Sequence, residues 1–368
     1  MNKKRKRKKN KPFSVCLILA LLALVMSIPA LLGRSGSDSN TEAATTLPTE
    51  PSIETTIPTE PPTEAPTEAP TEAPTEAPTE PSWMRFEEGR TLTASQYFVY
   101  DVENSRFLKM SGSQDDRVYQ ASITKLFTAY TAIQCLDLDT VITVGDALEL
   151  VPADSSFAGL NAGDKITVNH LIAGMMLASG NDAAQTLAVA CGRALTGDPN
   201  LPPKEAADRF VEEMNIQAQS VGLTDSHFVT PDGRHDDDHY TTIRDLVRLA
   251  KLALKESSIM LYVRSDSVNL TLESGNQLAL KNTNMLIQPE SEYYCPYAIG
   301  MKTGYTDAAG NCLLSVFWYD SRPLIIGVFG CPTRSDRCAD TLQLFNEAVG
   351  IPYAEPTDPV DTESAAEG

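Results

Sequence analysis

The sequence predicts an α/β domain in which an antiparallel sheet, flanked by helices, receives an all-helical subdomain between its N- and C-terminal strands. Three observations predict this fold class. Strand-like segments occur near residue 100 and return after residue 265, amphipathic helices fill the interval, and one more helix follows the last strand. The strand-like segments come in pairs joined by short turns, which indicates hairpins and therefore antiparallel pairing.

The first hairpin is expected to join Gln96–Val102 to Arg106–Met110, and a mainly apolar helix from Ser122 to Cys135 follows it. Pro203 suits the first turn of a helix, and Thr242 stands three residues before Asp245 in the pattern of a capping box. The helical subdomain is expected over about residues 140–256 and contains four further predicted helices: Val168–Leu177, Asp182–Cys191, Pro203–Val221 and Thr242–Lys255.

Strand character then returns, and a last helix is expected over Arg337–Val349. A two-residue turn at Ser321-Arg322 would place Cys312 opposite Cys331, so these side chains are expected to be neighbours, as a disulfide or as two buried thiols. A longer turn would shift this register. The predicted strands are Val268–Leu272, Gln277–Leu280, Ala298–Gly304, Cys312–Tyr319 and Leu324–Cys331.

The N-terminus differs from this domain in composition. Eight of its first eleven residues are Lys or Arg, and residues 13–32 contain no charge. A helix of about 20 apolar residues spans a bilayer, and a basic block before it favours an inside N-terminus. We expect a basic cytoplasmic tail (1–12) and a transmembrane anchor or cleaved signal peptide (13–33). The remainder would lie at the outer face of the membrane, or be secreted after cleavage.

Residues 34–83 are rich in Thr, Glu and Pro and include four copies of T-E-A-P. Such a segment buries too little apolar surface to fold, so a disordered spacer is expected, with a glycosylated or ligand-binding stalk as the alternative. The globular domain is expected over residues 84–353, and a disordered acidic tail over 354–368.

The chain carries 30 basic and 49 acidic residues, for a formal net charge of −19, which argues against a nucleic-acid-binding surface. Its seven cysteines are irregularly spaced and show neither a disulfide framework nor a C-x-x-C zinc pattern. The His235-Asp236-Asp237-Asp238-His239 segment could be taken for a metal site, but a solvated loop explains it better. No metal or cofactor is expected.

Ser122 and Lys125 form the only S-x-x-K of the chain. At this spacing on one helix face the amine can reach the hydroxyl, and a neutral lysine can deprotonate a serine that attacks a carbonyl. The pair could also be solvated surface, but the neighbouring residues are apolar, and a buried lysine is costly unless it is paired or neutral.

Two further motifs accompany this pair. Ser179-Gly180-Asn181 lies where one predicted helix ends and the next begins, and Lys302-Thr303-Gly304 ends a strand. Two other segments fit S-x-N: Ser267-Val268-Asn269 lies inside a strand, and Ser274-Gly275-Asn276 is better explained as a turn.

The segments ASITKLFTAY, LASGNDAA and GMKTGYTDAAGN resemble the active-site motifs of serine D-alanyl-D-alanine carboxypeptidases, over roughly residues 88–350. These enzymes are low-molecular-mass penicillin-binding proteins of the serine β-lactamase-like superfamily. The resemblance implies that fold and the removal of terminal D-alanine from peptidoglycan stem pentapeptides, through an acyl-enzyme that β-lactams also form. No cofactor and no nucleic-acid partner are expected. We expect a monomer at the extracytoplasmic face of a bacterial membrane, or in the cell wall if the signal is cleaved.

Carried onto this sequence, the resemblance implies that Ser122 is the nucleophile, Lys125 its general base and Ser179 a proton relay. The backbone N–H groups of Ser122 and Tyr305 would form the oxyanion hole. Arg337 would bind the substrate carboxylate, with Arg334 as the alternative. The implied substrate-binding residues are Asn181, Lys302, Thr303, Gly304, Tyr305 and Arg337.

The sequence departs from the family at Pro231-Asp232-Gly233-Arg234 and at His239-Tyr240-Thr241-Thr242, where relatives usually have G-L and a segment like H-Y-S-T. A β-lactamase or transpeptidase using the same serine and a non-catalytic wall-binding module remain alternatives. Glu212 and Glu213 stand roughly where a class A β-lactamase keeps its deacylating glutamate, but both fall on the polar face of a predicted helix.

Overall fold

The structure, a computed structural model, describes residues 90–350. The predictions for the basic tail, the apolar segment 13–33, the Thr/Glu/Pro-rich spacer and the acidic tail lie outside the described residues. Within residues 90–350, no helix combines the length and apolar character needed to cross a membrane.

The described residues form eleven strands and seven α-helices. The strands are β1 (Gln96–Asp101), β2 (Arg106–Met110), β3 (Arg117–Val118), β4 (Val141–Thr143), β5 (Lys165–Thr167), β6 (Thr241–Thr242), β7 (Ser267–Thr271), β8 (Gln277–Lys281), β9 (Ala298–Thr306), β10 (Gly310–Tyr319) and β11 (Arg322–Cys331). The helices are α1 (Thr124–Cys135), α2 (Val168–Met176), α3 (Asn181–Thr196), α4 (Pro203–Val221), α5 (Ile243–Ala253), α6 (Ser257–Val263) and α7 (Arg334–Val349).

Five strands form the central antiparallel sheet in the order β2-β1-β11-β10-β9. The N-terminal hairpin therefore pairs with strands more than 200 residues later in the sequence, and α1 to α6 occupy the interval. Buried side chains form two clusters, one uniting α1 to α6 with the sheet and one between the sheet and α7. The predicted fold class is confirmed, and β9, at the edge of the sheet, lies beside the start of α1.

Two local predictions hold only in part. The Thr242 side chain accepts a hydrogen bond from the Asp245 N–H at 3.2 Å, but the Asp245 carboxylate bonds the N–H of Asp225 instead of closing a capping box. The complete capping box is formed by Thr333 and Asp336, so α7 begins three residues before the predicted Arg337.

The Ser274-Gly275-Asn276 segment is the turn between β7 and β8, as expected.

The predicted register of β10 and β11 is wrong. The turn residues are Asp320 and Ser321, with φ of 47° and 61°, which is the geometry of two-residue hairpin turns that match strand twist. A bulge near the other end places Asn311 opposite Cys331. A shift of one residue turns a side chain to the other face of a sheet. Cys312 and Cys331 are accordingly free thiols that pack in different clusters.

Candidate active site

Ser122 lies in a short 3-10 turn, Ala121–Ile123, that leads directly into α1. Lys125, one turn further along, is completely buried, and its Nζ lies 2.8 Å from Ser122 Oγ. Ala121 has a φ of 47°, a conformation that costs a non-glycine residue about 1–3 kcal/mol and occurs where the surroundings enforce it. Gly233 packs directly against this residue, since a Cβ at that position would overlap the Ala121 carbonyl.

The Lys125 amine has three hydrogen-bond acceptors. Its Nζ donates to Ser122 Oγ at 2.8 Å, to Asn181 Oδ1 at 2.8 Å and to the Asp232 carbonyl at 2.7 Å. Burial lowers the Lys125 pKa to about 8, although the nearby Asp232 and Asp182 carboxylates oppose this shift. A neutral amine keeps two N–H groups for Asn181 and Asp232 and directs its lone pair at the serine hydroxyl. This geometry can remove the serine proton.

Ser179 occupies the connection between α2 and α3, and it too has a left-handed backbone, with a φ of 57°. Its carbonyl accepts a hydrogen bond from Ser156 Oγ at 2.6 Å. Ser156 belongs to the 156–160 loop. The carboxylate of the fully buried Asp182 accepts hydrogen bonds from three backbone N–H groups of this loop at 2.8–3.0 Å: Ala158, Gly159 and Leu160. The S-x-N turn and the 156–160 loop are therefore fixed to each other.

Lys302 extends from the edge strand β9 and is nearly fully buried. Its Nζ donates to Ser179 Oγ at 2.9 Å and to the Thr303 carbonyl at 3.0 Å. Burial, and then the positive charges of Lys125 and Arg337, hold the pKa of Lys302 well below its usual range. Lys125 and Arg337, the two charged groups that lower this pKa, are both basic side chains. This end of the site therefore favours an anionic ligand.

Arg337, at the start of α7, is also buried and contacts the backbone of β9. Its guanidinium donates to the carbonyls of Gly304 and Thr283, both at 3.4 Å, and its Nε has no protein partner. The alternative residue, Arg334, is exposed at the beginning of the same helix.

Thr303, Gly304 and Tyr305 line the same strand. The Thr303 hydroxyl lies 2.6 Å from that of Thr283, and the exposed Tyr305 hydroxyl donates to Asp307 at 2.8 Å. A Cβ on Gly304 would lie 2.8 Å from the Gln120 carbonyl and 3.2 Å from the Ser122 nitrogen. Gly304 therefore lets β9 approach the turn that carries Ser122, which places the Ser122 N–H beside the Gly304–Tyr305 backbone.

Gly304→Ala should reduce the acylation of Ser122 that the family resemblance implies by roughly 10–100-fold, because the methyl group pushes β9 away from Ser122 and misplaces the reacting groups. Stopped-flow measurement of acylation by a fluorescent penicillin tests this, and a thermal melt reports the fold. Wild-type acylation by a folded variant would show that the close approach of β9 is not required.

Sequence reasoning missed several residues that hold this site together. Asp232 contributes a main-chain carbonyl to Lys125, and its carboxylate accepts from Gln185 Nε2 at 3.0 Å. The segment Pro231-Asp232-Gly233 departs from the family pattern, and this departure could have pointed to Asp232. Ser156 gave no sequence signal, whereas Asp182 follows the S-x-N motif directly.

His239 belongs to the interior rather than to a solvated loop. Its Nε2 lies 2.8 Å from Thr124 Oγ1, and its Nδ1 accepts from the N–H of Val229 at 3.0 Å. Burial lowers its pKa to about 4, so the ring is neutral near pH 7. Among residues 90–350 no cluster of three or more His, Cys, Asp or Glu side chains is arranged to hold a metal ion.

The fold is that of the DD-peptidases, shared with the penicillin-binding proteins and β-lactamases. The crystal structure of a DD-transpeptidase from Streptomyces (strain K15) superimposes with a TM-score of 0.63 at 28% identity, covering 71% of this chain and 99% of that one. A model of the D-alanyl-D-alanine carboxypeptidase family matches residues 83–333. The chain belongs to this family.

Curated relatives share the family name. The chain is 29% identical over 240 residues to the D-alanyl-D-alanine carboxypeptidase DacF of Bacillus subtilis, covering 64% of this chain and 57% of that protein. It is 31% identical over 244 residues to a D-alanyl-D-alanine carboxypeptidase of Streptomyces (strain K15), covering 63% of this chain and 79% of that protein. The match thus spans little more than half of the Bacillus relative.

Proposed function

We propose that this protein is a serine D-alanyl-D-alanine carboxypeptidase that releases the terminal D-alanine of peptidoglycan stem pentapeptides and is inhibited by β-lactams. The observation that carries the proposal is the position of the buried Lys125 Nζ, 2.8 Å from both Ser122 Oγ and Asn181 Oδ1. Family membership supports the same reaction.

In this proposal Ser122 attacks the carbonyl of the last peptide bond while Lys125 takes its proton. The N–H groups of Ser122 and Tyr305 stabilise the oxyanion, and Asn181 orients both Lys125 and the substrate. Ser179 passes a proton to the departing D-alanine amine, and Lys302 holds the Ser179 hydroxyl at 2.9 Å. Water then hydrolyses the acyl-enzyme.

The substrate's free carboxylate would face the cationic end of the site. Lys302 and Arg337 are buried there, and neither has a salt bridge to a carboxylate within residues 90–350. Buried cations are costly unless an anion pairs with them, so binding a carboxylate offsets this cost. Thr303, next to Lys302 on β9, would add a hydrogen bond through its hydroxyl.

A substrate comparison tests the proposal. We expect D-alanine release from a diacetylated L-Lys-D-Ala-D-Ala peptide and at least about 100-fold slower turnover of the same peptide with an amidated C-terminus. Measurement of released D-alanine or D-alaninamide by chromatography distinguishes the two. Equal turnover of acid and amide would contradict a carboxylate-binding site, and turnover of a cephalosporin alone would indicate a β-lactamase.

A transpeptidase is the second candidate, because the structural neighbour from Streptomyces is titled a DD-transpeptidase. Adding glycine as an amine acceptor and measuring the peptide that ends in D-alanyl-glycine separates the two. The β-lactamase alternative is disfavoured by Glu212 and Glu213, which form ion pairs with Arg209 along α4 at 3.9 and 3.1 Å rather than bonding to Lys125.

We further propose that the enzyme acts outside the cytoplasm, held to the bacterial membrane by residues 13–33 and extended from it by the spacer at 34–83. The basic N-terminus and the uncharged segment support anchoring, and the peptidoglycan substrate requires export. Fractionation of cells producing the full chain distinguishes an anchored from a secreted protein. A monomer is proposed in both cases.

A further inference from the structure

Cys135 and Cys191 lie at equivalent positions on two adjacent helices. Cys135 is the last residue of α1 and follows Lys125 by ten residues, and Cys191 in α3 follows Asn181 by ten residues. The two helices pack together, and Lys125 contacts Asn181 near their beginnings. Since each helix rises about 1.5 Å per residue, equal offsets along parallel helices bring the cysteines together about 15 Å from the catalytic contact.

Cys191 lies in the core cluster formed by α1 to α6, and Cys135 packs against the same cluster. An interaction between the two thiols shifts the pKa of each. The two environments differ. Cys191 is completely buried, whereas Cys135 is partly exposed at the end of α1. The hydrogen bond from Cys191 lowers the pKa of Cys135 against the effect of burial, and burial raises the pKa of Cys191. Cys135 is therefore the thiol that reacts first.

We propose that Cys135 and Cys191 form a disulfide that joins the helix carrying Ser122 and Lys125 to the helix carrying Asn181. Oxidising conditions outside the cytoplasm would favour it, and to that extent the proposal rests on the proposed location. The bond itself depends only on the positions of the two cysteines on the packed helices α1 and α3.

The oxidant is a small-molecule or protein disulfide. The Cys135 thiolate attacks one sulfur of this disulfide, whose S–S bond breaks and releases one thiol. Cys191 then attacks the Cys135 sulfur in the mixed disulfide, transferring its proton to the second departing thiolate. Two cysteine thiols lose two electrons and two protons in total, and the incoming disulfide gains them.

Such a bond would close a long loop, from residue 135 to residue 191, that contains α2 and the S-x-N turn. Cross-linking a loop of this length restricts the unfolded chain, and we expect it to raise the melting temperature by about 5–10 °C. It would also hold α1 and α3 at the spacing that the Lys125–Asn181 contact requires.

The full chain, purified in detergent, is equilibrated in reduced or oxidised glutathione, and its remaining thiols are alkylated with a maleimide. Peptide mapping by mass spectrometry should show a peptide pair linked through Cys135 and Cys191 only in the oxidised sample, together with the rise in melting temperature. The matched controls are Cys191→Ala, which should lose both effects, and Cys295→Ala, which should keep both.

Alkylation of Cys135 and Cys191 to the same extent after oxidation as after reduction, measured in the denatured protein, or linkage of either thiol to a different cysteine, would overturn the proposal. Neither readout requires enzymatic activity. Failure of the disulfide and failure of the proposed carboxypeptidase reaction are therefore separate outcomes.

Discussion

Ser122→Ala should abolish D-alanine release and the covalent adduct with penicillin, with a loss of activity on the order of 10⁴-fold or more. The reason is that, among residues 90–350, Ser122 carries the one hydroxyl that accepts a hydrogen bond from the Lys125 amine, at 2.8 Å. Intact-protein mass spectrometry after incubation with penicillin measures the adduct. The fold should persist, because Ser122 is only partly buried and lies at the turn before α1.

Ser267→Ala is the matched control. Ser267 also begins an S-x-N sequence, but it is exposed on β7, outside the site. This variant should acylate and turn over substrate like the wild type. An adduct on the Ser122→Ala protein, or loss of the adduct in Ser267→Ala, would remove Ser122 from the nucleophile role.

The sequence was sufficient to predict the fold class because each element carries its own periodicity. The helix predicted over Pro203–Val221 has the observed bounds, since its apolar residues recur at helical spacing and Pro203 and Gly222 mark its ends. The three motifs were predictable because S-x-x-K is unique in the chain and S-x-N stands between two helices. The structure brings all three together around Lys125 and Lys302.

What could not be predicted depends on backbone geometry. Lys125 bonds the carbonyl of Asp232, and a carbonyl carries no sequence signal. The predicted register of β10 and β11 was wrong because the two turn residues with positive φ are Asp320 and Ser321, rather than Ser321 and Arg322. The left-handed residues Ala121, Ser179 and Met301 each lie at or beside a motif residue. Non-glycine residues rarely adopt this conformation, so local propensity could not indicate it.

Lys125→Arg should lower acylation by about 10³–10⁴-fold, because a guanidinium stays protonated and cannot act as a base. The wild-type pH profile tests the same role. With a Lys125 pKa of about 8, only about a tenth of the enzyme has the neutral amine at pH 7. The acylation rate should therefore rise about tenfold per pH unit below that value and level off above it.

The matched control is Lys204→Arg, an exposed lysine that pairs with Asp208 on the surface of α4. It should leave both the rate and the pH profile unchanged. A melting temperature close to wild type would show that Lys125→Arg is folded, and Lys125→Met provides a second variant without a base. Near-normal acylation by both Lys125 variants, or a wild-type rate that stays constant between pH 6 and 9, would mean that another group takes the serine proton.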